Sequence, residues 1–382
     1  MKSEWKRVRI ADVADVRRGA SPRPIHNFLS DEGMPWVKIA DATSKNSRYI
    51  AKTKEFIKES GVSASVVVVP ETLILSNSAT PGLPRIMKIQ ACVHDGWLVF
   101  GNYRNVERDF LYYLLTYVRP NLIGLANGSV FQNLKTDIVN RFEISLPPLS
   151  YQRKVAAILS SLDDKIENNN AICKNLEDQA LICFCQTFIE SASYKASRPI
   201  YEFAEFINGS SFRQSELTHE GLPIIKIGEL KAGISATTLR YSGDISKKVL
   251  INDGDILFSW SGNPQTSIDV FIWCGGSGVL NQHIFKVKSL FDCPWFTYLL
   301  LKYLMPQFVS IASDKQTTGL GHVTAGDLKR LKFPHDLGKM QSFESTIAPI
   351  MLGVYNSMLE NVKLLSLRDT LLPKLMRGEI DI

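Results

Sequence analysis

Residues 152–189 constrain this chain more than any other stretch. Mostly apolar or small side chains recur there at steps of three and four: Val155, Leu159, Leu162, Ile166, Asn169, Cys173, Leu176, Ala180 and Cys183. Spacing of this kind, held for about four heptads, predicts the seam of a long helix packed on another helix in coiled-coil fashion. The stretch contains no Pro or Gly. At ~1.5 Å per residue, roughly 38 residues would extend ~57 Å, more than a small domain is wide. Such a rod must either join two bodies or hold them apart.

The chain supplies a partner. From Gln341 the pattern returns as Ala348, Met351, Tyr355, Met358, Val362, Leu365 and Leu372. In this register, offset by about 189 residues, Leu176 stands opposite Leu365 and Gln152 opposite Gln341. Leu159, Leu162, Ile166 and Leu176 of the first helix, with Met351, Tyr355, Met358, Val362 and Leu365 of the second, are the expected helix-pair core. Pro349 should kink the second helix near its start, Pro373 should interrupt it near its end, and Gly378 should stop it.

Each rod follows a globular-looking stretch, and the two stretches repeat one order. Gly33-Met34-Pro35-Trp36-Val37-Lys38-Ile39 matches Gly221-Leu222-Pro223-Ile224-Ile225-Lys226-Ile227. Glu71-Thr72-Leu73-Ile74-Leu75-Ser76 matches Gly254-Asp255-Ile256-Leu257-Phe258-Ser259, and Gly19-Ala20-Ser21 matches Gly209-Ser210-Ser211. Residues 5–16 read as a short amphipathic element, leading into a basic turn that runs from Arg17 to Arg23. Residues 66–70, 72–75 and 93–100 read as strands, and 110–118 as a helix. Scaffold positions recur while loop residues differ, which suits a protein that reads two different things.

At 382 residues and 45% hydrophobic content the chain has room for two or three cored domains. No apolar run reaches the ~18 to 20 residues that span a membrane. The charged N-terminus, with no signal-peptide core behind it, implies a cytoplasmic protein. The six Cys are scattered without ligand spacing and read as free thiols. Net charge is +6, with about 20 Lys and Arg against about 14 acids before Pro147; this mild excess is compatible with nucleic acid without requiring it.

The arrangement resembles the specificity subunit of bacterial type I restriction–modification systems over essentially the whole chain. The carriers are Leu146-Pro147-Pro148-Leu149 followed by Gln152, Gly254-Asp255-Ile256-Leu257-Phe258-Ser259, and above all Leu367-Arg368-Asp369-Thr370-Leu371-Leu372-Pro373-Lys374-Leu375-Met376-Arg377-Gly378-Glu379-Ile380. Tyr151 stands where such subunits usually carry Glu before the Gln. The resemblance implies an α+β fold with an internal pseudo-two-fold repeat. Target-recognition domains would occupy 1–147 and 193–335, and two long antiparallel coiled-coil helices 148–192 and 336–382, the second including the C-terminal tail. It implies double-stranded DNA as ligand, each domain reading half of a split sequence. It further implies docking of two methyltransferase subunits and of restriction/translocase subunits. No cofactor, metal or catalytic residue is expected on this chain; S-adenosylmethionine belongs to the methyltransferase partner. Exposed seams would favour self-association of the isolated chain. A duplex turn is ~34 Å, so bodies held apart by such a rod could address sites about one turn apart, and rod length would set the spacer.

The candidate DNA-binding residues follow. Arg17, Arg18 and Arg23 are cations on the Gly-Pro turn; Lys38 and Lys226 recur at matching strand ends; Arg213 is a further cation. Asn77, Asn127, Gln132 and Asn133 lie in polar loops, where amides suit adenine edges but also suit turns. Trp260, Gln265, Gln282, His283 and His322 are the second-globule counterparts. Asp255 reads as a turn former. Catalytic chemistry is sparse: there is no phosphate loop ending in Gly-Lys-Ser or Gly-Lys-Thr, and the neighbours His94 and Asp95 lack a nucleophile or metal set. Competing readings are a coiled-coil adaptor with two peptide-binding modules and a stand-alone metal-dependent nuclease. Polar and basic tips favour the DNA reader over the adaptor, and the sparse catalytic chemistry favours it over the nuclease.

Overall fold

The computed structural model of the chain describes residues 5–43, 47–126, 133–190, 196–316 and 319–382. Its two long helices are Leu149–Cys185 and Leu337–Met376. The chain divides into two compact units, Met1–Glu167 with Leu364–Ile382, and Asn168–Lys363. The division falls within both long helices, so each unit holds part of both.

In the first unit a five-stranded sheet runs in the order Asp15–Arg18, Trp97–Gly101, Leu73–Ser76, Pro84–Met87, Tyr49–Ile50. Alternate side chains enter different cores. Leu73, Leu75, Leu98 and Phe100 meet Phe110, Leu111 and Leu114 of helix Arg108–Ala126, together with Val155 and Leu159 of the first long helix. Ile74, Trp97 and Val99 join Val37, Met87 and Val93 on the other side. With both faces covered, these strands read as nearly unbroken apolar runs. A second sheet has the order Leu29–Ser30, Glu55–Ile57, Met34–Val37, Ala91–Val93, Val66–Val68.

The second unit repeats the plan with four-stranded sheets. One runs Ala204–Asn208, Ile284–Ser289, Ile256–Ser259, Asp269–Ile272; the other runs Arg240–Tyr241, Leu222–Ile225, Gly278–Leu280, Leu250–Ile251. Ile256 and Phe258 meet Phe296, Phe308 and Met351, while Leu257 meets Ile225 and Leu280. Each unit also carries a two-stranded antiparallel ribbon, Lys6–Arg9 with Glu143–Leu146 and Ser197–Pro199 with Lys332–Pro334.

The long helices run antiparallel in both units. In the first, Tyr151 Oη donates to Leu375 O at 3.1 Å, and Arg368 Nη1 donates to Asp163 Oδ1 at 2.8 Å. In the second, Asn169 Nδ2 donates to Asn361 Oδ1 at 2.9 Å, and Cys173 Sγ meets Val354 O at 3.5 Å. Residue numbers rise along one helix as they fall along the other. Leu176 therefore lies against Gly353, not beside its repeat counterpart Leu365.

Val155, Leu159, Ile166 and Ala180 are buried on the first helix, with Leu162 and Leu176 partly covered. Cys183 is exposed; Phe184 takes the seam position and stacks on Phe333 at 5.6 Å. On the second helix the buried face is Met340, Phe343, Ile347, Met351, Val354 and Asn361. Tyr355, Met358 and Leu365 are partly covered, and Val362 is 43% exposed. The expected phase was one residue out at Val362 because polarity favours Val over Asn at a seam. Asn361 is tolerated inside because its amide is paired.

Pro373 does not interrupt the second helix, which continues to Met376, and Pro349 also lies inside it. The ladder resumes where Arg377 N–H donates to Pro373 O at 3.1 Å. Leu371, Leu372, Leu375 and Met376 pack into the first unit's core, and that burial outweighs the missing hydrogen bond. Gly378, at φ +64°, does end the helix. Gly378 N–H donates to Leu375 O at 3.1 Å and Glu379 N–H to Lys374 O at 2.9 Å, leaving a left-handed cap that suits Gly.

A buried polar node ties the first unit's sheets to both helix segments. Asp163 accepts from Tyr113 Oη at 2.6 Å and from Arg368 at 2.8 Å, and Tyr113 Oη accepts from Arg48 Nη1 at 3.0 Å. Arg48 also pairs with Asp164. Burial, with the charge of Asp163, pushes the Tyr113 phenol far up, so it donates to the carboxylate. Asp163→Ala would leave the Arg368 guanidinium and the Tyr113 hydroxyl without their buried acceptor. The first unit should lose about 3 kcal/mol in urea unfolding, with the second unit's transition unmoved.

Candidate nucleic-acid interface

The reading from sequence gave residues 93–100 as one strand. The structure breaks it at His94-Asp95-Gly96, where Ala91–Val93 leaves one sheet and Trp97–Gly101 enters the other. A polar, Gly-ended triplet cannot continue a doubly buried strand, so it becomes a bend at the surface. The chain packs tightly over it. Gly19 N–H donates to Trp97 O at 2.8 Å and Ala20 N–H to Val93 O at 3.2 Å. A Cβ on Gly19 would lie 2.2 Å from His94 O, so only Gly fits. Asn77 N–H donates to Gly96 O at 2.8 Å, and Leu134 N–H to Asn77 O at 2.8 Å.

The second unit rebuilds this frame bond for bond. Gly209 N–H donates to Ile284 O at 3.1 Å and Ser210 N–H to Leu280 O at 2.8 Å; Trp260 N–H donates to His283 O at 3.3 Å and Val323 N–H to Trp260 O at 2.8 Å. A Cβ on Gly209 would lie 2.2 Å from Asn281 O. The frame therefore equates His94 with Asn281, Asp95 with Gln282, Gly96 with His283, Asn77 with Trp260 and Asn133 with His322. The scaffold is constant and the side chains differ.

In the first unit the bend is acidic and clasped by cations. Ser21 Oγ donates to Asp95 Oδ1 at 2.9 Å, Arg23 Nη2 to Oδ2 at 3.2 Å, and Arg18 Nε to Asp95 O at 2.8 Å. Burial opposes ionisation of Asp95, but the Ser21 hydrogen bond and the Arg18 charge together hold its pKa below the usual value. Arg17 and Arg18 lie on strand Asp15–Arg18, not on the turn expected from sequence; both are exposed. Lys38 pairs with Glu55 at 2.5 Å. Arg23, Pro24, Ile25, Trp36, Lys38 and His94 are among the residues lining an open cleft of about 810 Å³ beside the bend. His94 Nδ1 accepts from Gly96 N–H at 2.8 Å, and burial lowers its pKa.

Asn77 is a correction. It is 5% exposed, and its Nδ2 donates to Asp95 O at 3.0 Å, so it braces the bend and offers nothing outward. Asn133 is exposed, while Asn127 and Gln132 lie outside the described residues. In the second unit Gln282 and His283 are exposed and adjacent, with Gln282 Nε2 and His283 Nε2 3.4 Å apart. Trp260 lies 5.9 Å from the His283 ring, and its Nε1 donates to Asn208 Oδ1 at 3.2 Å. His322 pairs with Ser261, next to Trp260. These four form one surface, and Lys226 joins it, since Asn281 N–H donates to the preceding residue's Ile225 O at 3.1 Å. Gln265 is exposed on the neighbouring short helix Pro264–Ser267, and Arg213 is exposed on a separate loop.

Lys38 and Lys226 do occupy matching places, and the reason is local. Each precedes a short helix, and its backbone N–H donates to an acid three residues on, Asp41 Oδ2 at 2.8 Å and Glu229 Oε2 at 3.1 Å. Asp255 is a turn former: its Oδ2 accepts from Asn252 N–H at 2.8 Å and Lys286 Nζ at 2.7 Å. Sequence reasoning missed Asp95, Ser21 and Asn208. The position of Asp95 opposite Gln282 in the repeat was the one clue available.

The family described as "Type I restriction modification DNA specificity domain" matches residues 2–178 and again 194–335. The chain belongs to this family. It is 26% identical over 412 residues to the type I restriction enzyme MjaIX specificity subunit of Methanocaldococcus jannaschii, covering 99% of this chain and 94% of that one. A putative type I restriction enzyme MjaX specificity subunit of the same organism is 31% identical over 102 residues, 26% of this chain and 24% of that one. The crystal structure of a type I restriction–modification S subunit from M. genitalium shares the fold, with TM-score 0.56 at 16% identity, covering 97% of this chain and 96% of the other. This specificity subunit works on DNA with the modification and restriction subunits of a type I system. The adaptor and lone-nuclease readings give way to that. No helix among the described residues is long and apolar enough to cross a membrane.

His94 makes the first unit acid-sensitive. Folding half-buries its ring and lowers its pKa, whereas the unfolded chain protonates it below about pH 6.5. The unfolded state then binds the extra proton, so stability present above that pH is lost as pH falls toward the folded value. His94→Asn, borrowing the second unit's residue, should flatten this part of the first unit's urea-midpoint profile between about pH 7.5 and 5. The second unit should keep its own acid drop from His335, whose pKa burial also lowers.

Proposed function

We propose that each unit reads one half of a split DNA target, while the long helices carry two methyltransferase subunits. The observation that carries this is the repeated frame: equivalent bends, packed under Gly19 and Gly209, bear His94-Asp95-Gly96 in one unit and Asn281-Gln282-His283 in the other. A constant backbone under variable outward groups is what reading two different sequences requires. Arg17, Arg213 and Lys226, all exposed, suit phosphates, which fix register without specifying sequence. Asn133, Trp260, Gln265, Gln282, His283 and His322 suit base edges in the grooves.

On this reading the chain is itself non-catalytic and acts in the cytoplasm. S-adenosylmethionine sits in the methyltransferase partners, and cleavage and translocation belong to the restriction subunits. Coexpression with the cognate modification subunit, in a host lacking that methylation, should give a split motif when modified adenines are mapped. The chain alone should give none. A continuous motif, or robust methyl transfer by the lone chain, overturns the proposal.

The helix pair also acts as the ruler between half-sites. Deleting one heptad from the first long helix, with a matching deletion in the second, should change the tolerated spacer and leave both half-site sequences intact. Unaltered spacer tolerance would remove the helices from that role.

A further inference from the structure

Among Arg17, Arg18 and Arg23, Arg18 is the most firmly held. Its Nε donates to Asp95 O at 2.8 Å, and its Nη2 lies 3.5 Å from Asp95 Oδ2. Asp95 is itself braced, with Ser21 Oγ on Oδ1 at 2.9 Å and the buried Asn77 Nδ2 on its main-chain oxygen at 3.0 Å. The Arg18 side chain is nevertheless 59% exposed, and the N–H groups along its outer Nη1/Nη2 edge make no hydrogen bond among the described residues. Arg23 touches the same carboxylate at 3.2 Å through Nη2 alone and is 80% exposed, a looser arrangement. Arg17, the next residue along the strand, has no carboxylate partner among the described residues.

Charge and geometry separate two uses of such a group. A phosphate is held mainly by net charge, which Asp95, shared with Arg23, partly offsets at Arg18, and the carboxylate itself repels a phosphate. A base edge is neutral and rewards fixed geometry. Guanine O6 and N7 accept two parallel N–H groups from one guanidinium, and a guanidinium already oriented loses less freedom on binding. The free Nη1/Nη2 edge of Arg18 offers that fork. Arg17 keeps its full charge and suits a phosphate.

We propose that Arg18 reads a guanine in the half-site addressed by the first unit, with Asp95 as its positioning residue. This rests on the two-half reading above. Among the described residues the second unit has no such arrangement. Strand pairing sets Arg18 beside Leu98 and Asn208 beside Phe285, which makes Asn208 the counterpart of Arg18, and Gln282 is the counterpart of Asp95. Asn208 accepts from Trp260 there at 3.2 Å. Guanine reading by this device therefore belongs to one half-site only.

The test is the methylation map of the coexpressed complex carrying Arg18→Ala, Arg18→Lys, Asp95→Asn or Arg17→Ala. The three changes at Arg18 and Asp95 should relax one guanine in one half of the motif by roughly 10- to 100-fold, because Lys keeps the charge and loses the fork. The untouched half then reports that the complex is folded. Arg17→Ala should lower methylation at all sites alike. If a variant abolishes methylation, binding of the purified complex to duplexes differing at that base pair supplies the same comparison. An unchanged motif, an even loss across all sites with Arg18→Ala, or relaxation at a base other than guanine overturns the proposal. Absence of a split motif for the unaltered chain would instead overturn the two-half reading, and this inference with it.

Discussion

The antiparallel pairing of the two long helices is the constraint on which the rest depends, and polar groups buried in the seam fix its register. Leucine and valine seams tolerate slippage, because one apolar contact replaces another. Asn169 and Asn361 do not: a slip would strand buried amides at about 1–3 kcal/mol each. Asp163 acts similarly in the first unit, where Arg368 of the second helix and Tyr113 of the globular part meet on one carboxylate. With register set, Tyr151 reaches the carbonyls of Leu375 and Ile380, both at 3.1 Å, and Trp5 packs on Tyr151 at 5.4 Å. Trp5 and Ile380 are thereby built into the first unit.

The second consequence concerns how a duplicated scaffold diverges. Sheet order, the tight Gly, the bend and the strand-end Lys recur in both units, since each answers a backbone or packing requirement. Outward side chains at the bend answer none, so an acid clasped by arginines in one unit becomes an amide beside His283 and Trp260 in the other. The cleft next to Asp95 is lined by the buried Trp36 and the half-buried His94, where the second unit has Ile224 and Asn281.

Much of the architecture was legible in the residues. Heptad spacing located both helices, offset motifs revealed the duplication, and apolar runs located Val66–Val68 and Leu73–Ser76, while Asp15–Arg18, Glu55–Ile57 and Pro84–Met87 went unread as strands. The failures have specific causes. Val362 lost its seam position to Asn361 because hydrophobicity does not register a satisfied amide. Pro373 failed to end its helix because burial of Leu371, Leu372 and Leu375 outweighed a local rule. Residues 93–100 hid a change of sheet, which no local preference encodes. Among candidate site residues, Lys38 and Lys226 matched as a pair, whereas Asn77 turned inward and Asp95, dismissed as half of an accidental neighbour pair, became the centre of the first unit's bend.

The sequence by itself determined that the chain is a repeat of globule and helix, and that its globules share a frame while their tips differ, because periodicity and internal duplication are properties of residue order. Only the tertiary structure decided which tip residues equate across the repeat, which cations are clasped and which are free, and which polar groups face inward. Those properties arise where Ser21, Asn77 and Asp95, distant in the chain, converge on one bend, and hydrogen-bond partners at such separation leave no mark in local spacing.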